Sequence, residues 1–438
     1  MHIQASEIAD AVGGEFIGSD VRVAGAGIDS RLIASGSLFV PIVGDRNGHD
    51  FIPVAIEAGA VAYLTAEPVR DGVAATAITC TDTAAALADV GRAVRRRLPE
   101  RVVGVTGSVG KTSTKDLLAG LLATTFVTAA SEKSFNNELG LPLTLANAPD
   151  DTEAVVVEMG ARGIGHIDYL CSIARPTVGI VTRVEGVHLE LFGDLASVAQ
   201  AKGELVESLP ADGIAVLNAD HELVIAMAER TSAQVLSYGL TPSADVSATT
   251  ISIDAALRAS FRLHTPWGSA DVTLGARGEH QVSNALAAAA AAGGLGVPVE
   301  AMAQGLAGAE LSGLRMDLST NDSGVLILND AYNANPTSMS AALHSLVALD
   351  ARRRIAVLGT MAELGDGAAA AHEAIAREAQ SLGVEVIAVA EPMYGTGVHH
   401  VDGIAAAVVA LADLGEGDAL LVKGSRAAAL ERVAQALG

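Results

Sequence analysis

The run "GVTGSVGKTSTKD" at residues 104–116 constrains this chain more than any other stretch. Ahead of it, Arg101-Val102-Val103-Gly104-Val105-Thr106 is short, apolar and β-branched, and behind it Leu117, Leu118, Leu121 and Leu122 recur at helical spacing. The pattern predicts a strand, a tight loop and a helix. Glycines let such a loop turn its N–H groups inward, the helix N-terminus adds partial positive charge, a lysine reaches the outer phosphates and a hydroxyl holds Mg²⁺. Gly107, Gly110, Lys111 and Thr112 supply those parts, within a loop of Gly107, Ser108, Val109, Gly110, Lys111, Thr112 and Ser113. The strict phosphate-loop pattern asks for glycine at 105, where Val105 stands, so this is a close variant. An ordinary glycine-rich turn is the alternative.

At 438 residues the chain predicts two or three domains. Apolar strands at 154–158, 177–182, 214–218 and 234–237 alternate with helical stretches, which is the rhythm of a parallel sheet. Residues 243–275 lack a helix period and read as antiparallel strands turning at Thr265-Pro266-Trp267-Gly268, before an Ala-rich helix over 280–293. The rhythm restarts with strands near 325–329, 354–358, 384–389 and 419–422, so three domains are expected: 1–98, 99–309 and 310–438. The fold class is α/β throughout: a small N-terminal α/β domain, a central phosphate-loop domain on a parallel sheet, and a Rossmann-like C-terminal domain. Pro99 marks the first boundary, and the arginines of "RAVRRRLPE" before it read as a solvated helix end.

Composition narrows the partners. A net charge of −23 argues against nucleic acid or an anionic membrane surface as a broad partner, while leaving room for a local basic pocket. Cys80 and Cys171 make no metal-like pair and read as buried free thiols of a reducing cytoplasm. No secretory signal is visible in "MHIQASEIADAVGG", and the Ala-rich run 284–292 is too short to span a bilayer, so a cytoplasmic protein without membrane insertion is expected.

Three residues outside the loop carry chemistry. Glu158 closes the apolar strand of "VVVEMGARGIGHID", where a buried carboxylate is costly unless paired or bound to a metal, and where a parallel sheet forms its ligand crevice. A structural salt bridge is the alternative. His188 falls in a loop after another such strand, and Lys202 on the next helix. Alone, they would read as a loop histidine and a solvated lysine; beside a phosphate loop and Glu158, they become metal-side candidates.

The ordered set "TGSVGKTSTKD", "SFNNELGLPLT", "EMGARGIGHI", "HLELFG", "AKGE", "GEHQVSNALAA" and "NDAYNANPTSM" resembles the Mur ligases, the ATP-dependent amide-forming enzymes of peptidoglycan precursor synthesis. The resemblance covers essentially the whole chain and is nearest the branch that adds D-alanyl-D-alanine to UDP-N-acetylmuramoyl-tripeptide. It implies ATP as a substrate and two Mg²⁺ ions, with Lys111 and the loop on the phosphates, Thr112 and Glu158 on one Mg²⁺, His188 on the other, and a carbamylated Lys202 supporting the latter. His280 and Asn284 would meet the adenine side; helix capping is the plainer reading of Asn284. Arg315 and Asp330 would come from the third domain to the γ-phosphate and ribose, so that domain must close. Ser30 and Arg31 would bind the UDP end, with a surface turn as the alternative. Asn137, Asn333 and Asn335 would line the peptide and dipeptide region, although Asn-Ala-Asn-Pro also suits a helix start. A monomer is expected.

Two segments depart from the family pattern: Thr360 replaces a carboxylate in Gly359-Thr360-Met361-Ala362-Glu363-Leu364-Gly365, and Ser131-Glu132-Lys133-Ser134 precedes the paired asparagines. Three other readings compete with this one. A ligase adding the third peptide residue would carry Asp-Asn-Pro-Arg where "AVAEPMYG" stands, and a folylpolyglutamate synthetase would lack the UDP segment. An inactive nucleotide-binding scaffold is disfavoured because Lys111, Glu158, His188 and Lys202 are all present.

Overall fold

The computed structural model describes residues 2–69, 72, 74–132, 134–186 and 189–438. Its largest element among them is a nine-stranded sheet, which runs in the order Gly268–Arg277, Arg258–Thr265, Val246–Ile253, Gln234–Gly239, Ile214–Asn218, Val178–Val181, Val102–Thr106, Ala154–Glu158 and Thr128–Ala130. From Val246–Ile253 to Thr128–Ala130 all neighbours pair parallel; the two remaining strands add antiparallel, the last two joined by the expected turn after Thr265. The central strands are apolar on both faces because helices cover both. One face packs Leu117, Leu118 and Leu121 of the helix Lys111–Leu122 with the helix Gln281–Gly294. Ala287 to Ala292 in the latter have no exposed surface, which suits a helix buried nearly all round.

Register decides where the chemistry can sit. Glu158 lies opposite Val105, and Val181 opposite Thr106, so the phosphate loop and the Glu158 carboxylate emerge side by side at the carboxyl edge.

The N-terminal region has a five-stranded sheet, in the order Phe16–Ile17, Thr76–Thr79, Ala62–Thr65, Leu38–Phe39 and Ala26–Gly27, and a strand pair His2–Gln4 with Arg22–Ala24. Its helix Thr83–Arg95 shares a core with the central region, Leu87, Val90 and Val94 clustering with Leu141 and Ile173. The C-terminal sheet runs Asp317–Thr320, Leu326–Asn329, Asp418–Lys423, Arg353–Leu358, Glu385–Val389 and His399–Val401, with the first strand antiparallel. Its chain moves outward from Arg353–Leu358 and returns on the other side as Asp418–Lys423, which makes the gap between those strands the switch point.

Cys171 is buried and Cys80 half-buried, both free, and burial pushes their thiols up, to about 12 and about 11. Among described residues no helix is long and apolar enough to cross a membrane.

The reading of the "RAVRRRLPE" arginines as a solvated end fails at Arg95. Only 8% exposed, its guanidinium donates to the carbonyls of Ala174, Leu98, Pro99 and Arg175. Those carbonyls close one helix and border the next strand, and they need a donor that water cannot bring to a packed junction. Arg96 beside it is exposed. Arg95→Ala should therefore lower the first urea-unfolding transition by about 2 kcal/mol, while Arg96→Ala stays within about 0.5 kcal/mol. Equal effects of the two substitutions would remove Arg95 from its role as a junction clamp.

Candidate active site

The phosphate loop is shaped by glycine and by the next strand end. Gly110 takes φ 88 at the N-terminus of the helix Lys111–Leu122, and a Cβ there would stand 2.5 Å from Asn284 Oδ1. At Gly107, with φ 145, a Cβ would be 1.9 Å from Thr182 Oγ1. Ser108 N–H donates to the Arg183 carbonyl at 2.7 Å, and Thr182 Oγ1 donates to the Val109 carbonyl at 2.6 Å. The loop therefore lies directly on the Thr182–Glu185 segment.

Glu158, 1% exposed, accepts from Thr112 Oγ1 at 2.7 Å and from Asn136 Nδ2 at 2.8 Å. Lys111 bends back over the loop, donating to the Gly107 carbonyl at 2.7 Å. Its burial lowers the ammonium pKa, with Glu158 opposing and Arg315 adding to the shift. Lys202, 3% exposed, is buried too, not solvated; burial pushes it down to about 7, Lys111 contributing in the same direction and Glu158 and Glu204 against it. His188 lies outside the described residues.

A cleft of about 830 Å³ joins this edge to the C-terminal unit. Arg315 enters it with its guanidinium carbon 4.3 Å from the Tyr332 ring centroid, and its buried Nε has no hydrogen-bond partner among the described residues. Tyr332 hydroxyl and Ser134 Oγ are hydrogen-bonded across the two units. Asp330 is held by Lys423 Nζ at 2.5 Å and by Met316 N–H at 3.2 Å. His280 opens onto the cleft; surrounding protein lowers its pKa, Lys423 adding to the shift and Asp330 opposing it. Asn284 does not cap its helix: it is four residues in from the His280 cap, donates to Gln281 Oε1 at 2.8 Å and receives the Thr114 hydroxyl at 3.4 Å.

Three family models match in chain order: the Mur ligase family catalytic domain over 22–101, the Mur ligase middle domain over 105–292 and the Mur ligase glutamate ligase domain over 314–426. The UDP-N-acetylmuramoyl-tripeptide--D-alanyl-D-alanine ligase of Mycobacterium bovis is 39% identical, covering 100% of this chain and 98% of that protein. This chain belongs to the Mur ligase family. The crystal structure of MurF from Acinetobacter baumannii superposes with a TM-score of 0.90 at 29% identity, covering 100% of this chain and 99% of that one. The MurF ligase of Thermotoga maritima in complex with ADP gives 0.81 at 27%, covering 94% and 96%.

Of the expected residues, this Mur ligase brings Lys111, Thr112, Glu158, His280, Asn284, Arg315, Asp330, Asn333 and Asn335 to one cleft. Asn333 turns its amide oxygen to Ala334 N–H at 2.9 Å, and Asn335 caps the helix Pro336–Ala348 through Ser338 N–H at 2.9 Å, so the helix-start reading holds beside the cleft position. Asn137 is not among the cleft-lining residues; its oxygen accepts from Leu139 and Gly140 N–H at 3.2 and 2.9 Å. Ser30, buried, and Arg31, exposed and paired with Asp29 at 2.6 Å, lie in the N-terminal unit away from the cleft lining. Asn136, Tyr332 and Lys423 were not foreseen. Lys423 carried the same signal as Glu158, a charge closing a buried apolar strand.

Gly107→Ala should push the loop off Thr182 and weaken ADP binding at least about tenfold, some 1.4 kcal/mol by calorimetry. Gly163→Ala, where a Cβ meets nothing within 4 Å, serves as the control and should leave it unchanged. Unaltered ADP affinity in the Gly107 variant would show that the loop tolerates a side chain there.

Proposed function

We propose that this Mur ligase joins D-alanyl-D-alanine to UDP-N-acetylmuramoyl-tripeptide in peptidoglycan precursor synthesis, converting ATP to ADP and phosphate. The observation that carries the chemistry is the single cleft in which Lys111, the Thr112–Glu158 pair and the third unit's Arg315 face one another. The choice of substrates is supported by the relatives' names and by the full-length match.

Amide formation from a carboxylate is uphill in water, so the acid must be activated. The terminal carboxylate of the tripeptide attacks the γ-phosphorus, ADP departs, and an acyl phosphate forms. The deprotonated amine of the dipeptide then attacks the acyl carbon, and phosphate leaves with its electron pair as the amide forms. No protein nucleophile is required. Lys111 and Arg315 spread the charge that grows on the transferred phosphoryl group, a positioning and electrostatic role.

The donors beside the loop fit Mg²⁺. Thr112 Oγ1 and Glu158 Oε2 are hard oxygens 2.7 Å apart, the donor type that Mg²⁺ takes alongside phosphate oxygens. Held by Thr112 and Glu158, Mg²⁺ would supply charge neutralisation and Lewis-acid polarisation of the phosphates. A second ion would take His188 and Lys202. As an ammonium Lys202 would repel a cation, but its lowered pKa of about 7 leaves neutral amine to combine with CO₂, releasing a proton and giving an anionic carbamate. His280 and Asn284 take the adenine side, Asp330 the ribose, and Ser30 and Arg31 the UDP end. Asn333 and Asn335 line the peptide region, with Asn136 in place of Asn137. A monomer acting in the cytoplasm, where ATP and UDP-linked precursors are found, completes this reading.

Phosphate release should need ATP, Mg²⁺, the UDP-linked tripeptide and D-alanyl-D-alanine together. Equal turnover with the UDP-linked dipeptide and a diamino acid would move the assignment to the preceding peptide-extension step.

The carbamate has its own test. Reactivation of CO₂-depleted protein by bicarbonate should rise as pH passes through about 7, because the neutral amine is the reacting form. Lys202→Ala should regain part of its activity with acetate or formate, and Lys202→Arg should stay inactive. An active arginine variant would mean that the position supplies a positive charge.

A further inference from the structure

The segment Gly359–Gly365, whose Thr360 departs from the family pattern, has no part in the cleft lining, yet it is hydrogen-bonded at both ends. Its anchor is His372, which has no exposed surface. Met361 N–H donates to His372 Nε2 at 2.8 Å, so Nε2 carries no proton; the proton sits on Nδ1 and is donated to the Ala368 carbonyl at 2.7 Å. Tyr394 stands edge-on to the imidazole, centroids 4.9 Å apart, and donates its hydroxyl to the Gly359 carbonyl at 2.8 Å. Ser425 N–H, from the other side of the switch point, donates to the Thr360 carbonyl at 2.9 Å. Three successive residues of the loop are thus gripped from three different elements.

The far end of the loop crosses to the central unit. Gly365 N–H donates to Glu190 Oε1 at 3.1 Å, and a Cβ at Gly365, where φ is +57, would stand 3.3 Å from Glu190 Cγ. Glu190 follows His188 by two residues, on the short helix Leu189–Phe192. Glu363, between the two anchored ends, holds φ 65, a left-handed conformation that costs a non-glycine residue about 1 kcal/mol and persists only where surroundings over-determine it.

We propose that His372 is a positioning residue for the ligation: as its neutral Nδ1–H tautomer it fixes the Gly359–Gly365 loop so that Gly365 docks on Glu190, setting the C-terminal unit against the metal-side loop of the central unit. The proposal rests on the ligase reading above. His372 is fully buried and outside the cleft lining. His372 acts through Met361 N–H and Gly365 N–H, and Tyr394 completes the same grip.

Isosteres separate this from a general role in folding. In His372→Gln the side-chain oxygen reaches the position of Nε2 and still accepts from Met361 N–H; in His372→Asn the amide reaches only the Nδ1 position and that bond is lost. The glutamine variant should keep kcat within about threefold, and the asparagine variant should lose at least about tenfold in kcat while its Kd for ADP changes less than about twofold. Glu190→Ala should lose kcat similarly, and the double variant with His372→Asn should be no slower than the slower single, because both substitutions break one contact. Amide exchange should show Gly365 N–H deprotected in Glu190→Ala, and both Met361 and Gly365 N–H deprotected in His372→Asn. Multiplying effects in the double variant, equal loss in the glutamine and asparagine variants, or ADP affinity falling with kcat would each overturn the proposal. Should the core substitutions fail to fold, Glu190→Ala alone decides: unchanged kcat with Gly365 still protected defeats it. A wild-type chain inert toward the tripeptide and dipeptide would sink the ligase reading instead, and the exchange measurements would still report on the docking.

Discussion

The arrangement turns on one carboxylate held out of water. Glu158 ends a strand that is buried from Ala154 onward, and its partners are a hydroxyl and an amide, both neutral. A carboxylate in that position loses its hydration and gains back only two hydrogen bonds, so cations close by are what make it tolerable. Lys111 and the unmodified Lys202 amine both feel its field, and each is depressed by burial. Removing the carboxylate would take from both amines a charge that opposes their depression by burial. Such a set suits a phosphate-bearing ligand, which would give each buried amine an anionic partner.

The cleft is balanced where the chain as a whole carries −23. The acidic surface repels anions at long range, while Lys111, Arg183, Arg315 and Lys423 line the cleft beside Glu158, Asp220, Glu279 and Asp330, with the positive end of the helix Lys111–Leu122 opening onto it. Screening leaves about one Debye length, some 8 Å at physiological salt, over which charges act, so the cleft interior decides what binds and the distant surface does not.

The parallel sheet was legible because its strands are apolar on both faces and its helices repeat at a different period, and Glu158 was legible because a charge closing such a strand is costly. Asn136 and Asn137 show where that reasoning stops. They differ by one position in an irregular loop, and no periodicity says which amide meets Glu158 and which turns to Leu139 and Gly140. Arg95 was misread because local sequence placed it at a helix end, whereas its carbonyl partners Ala174 and Arg175 come from far along the chain. Asn284 was open to a capping reading for the same reason: its actual neighbour is the phosphate loop at Gly110, brought there by helix packing.

The helix behind the phosphate loop also carries the joint between units. Asp116, one turn beyond Thr112, accepts from Ser312 N–H at 2.8 Å and pairs with Lys115 at 2.6 Å, and Lys115 donates onward to the Ser131 carbonyl at 2.7 Å. Ser312 belongs to the segment that leads into the C-terminal unit, where Leu314 and Met316 hold φ 64 and 52. Non-glycine residues in that region cost about 1 kcal/mol each, and such strain collects where a chain must change direction under constraint. Arg315 lies between them, so the side chain that reaches the phosphate side of the cleft is carried by the turn itself. The helix Lys111–Leu122 thus carries the glycine-rich loop at its N-terminus and, through Asp116, the contact with Ser312 that leads to Arg315, so the cleft's two sides are joined through one rigid element.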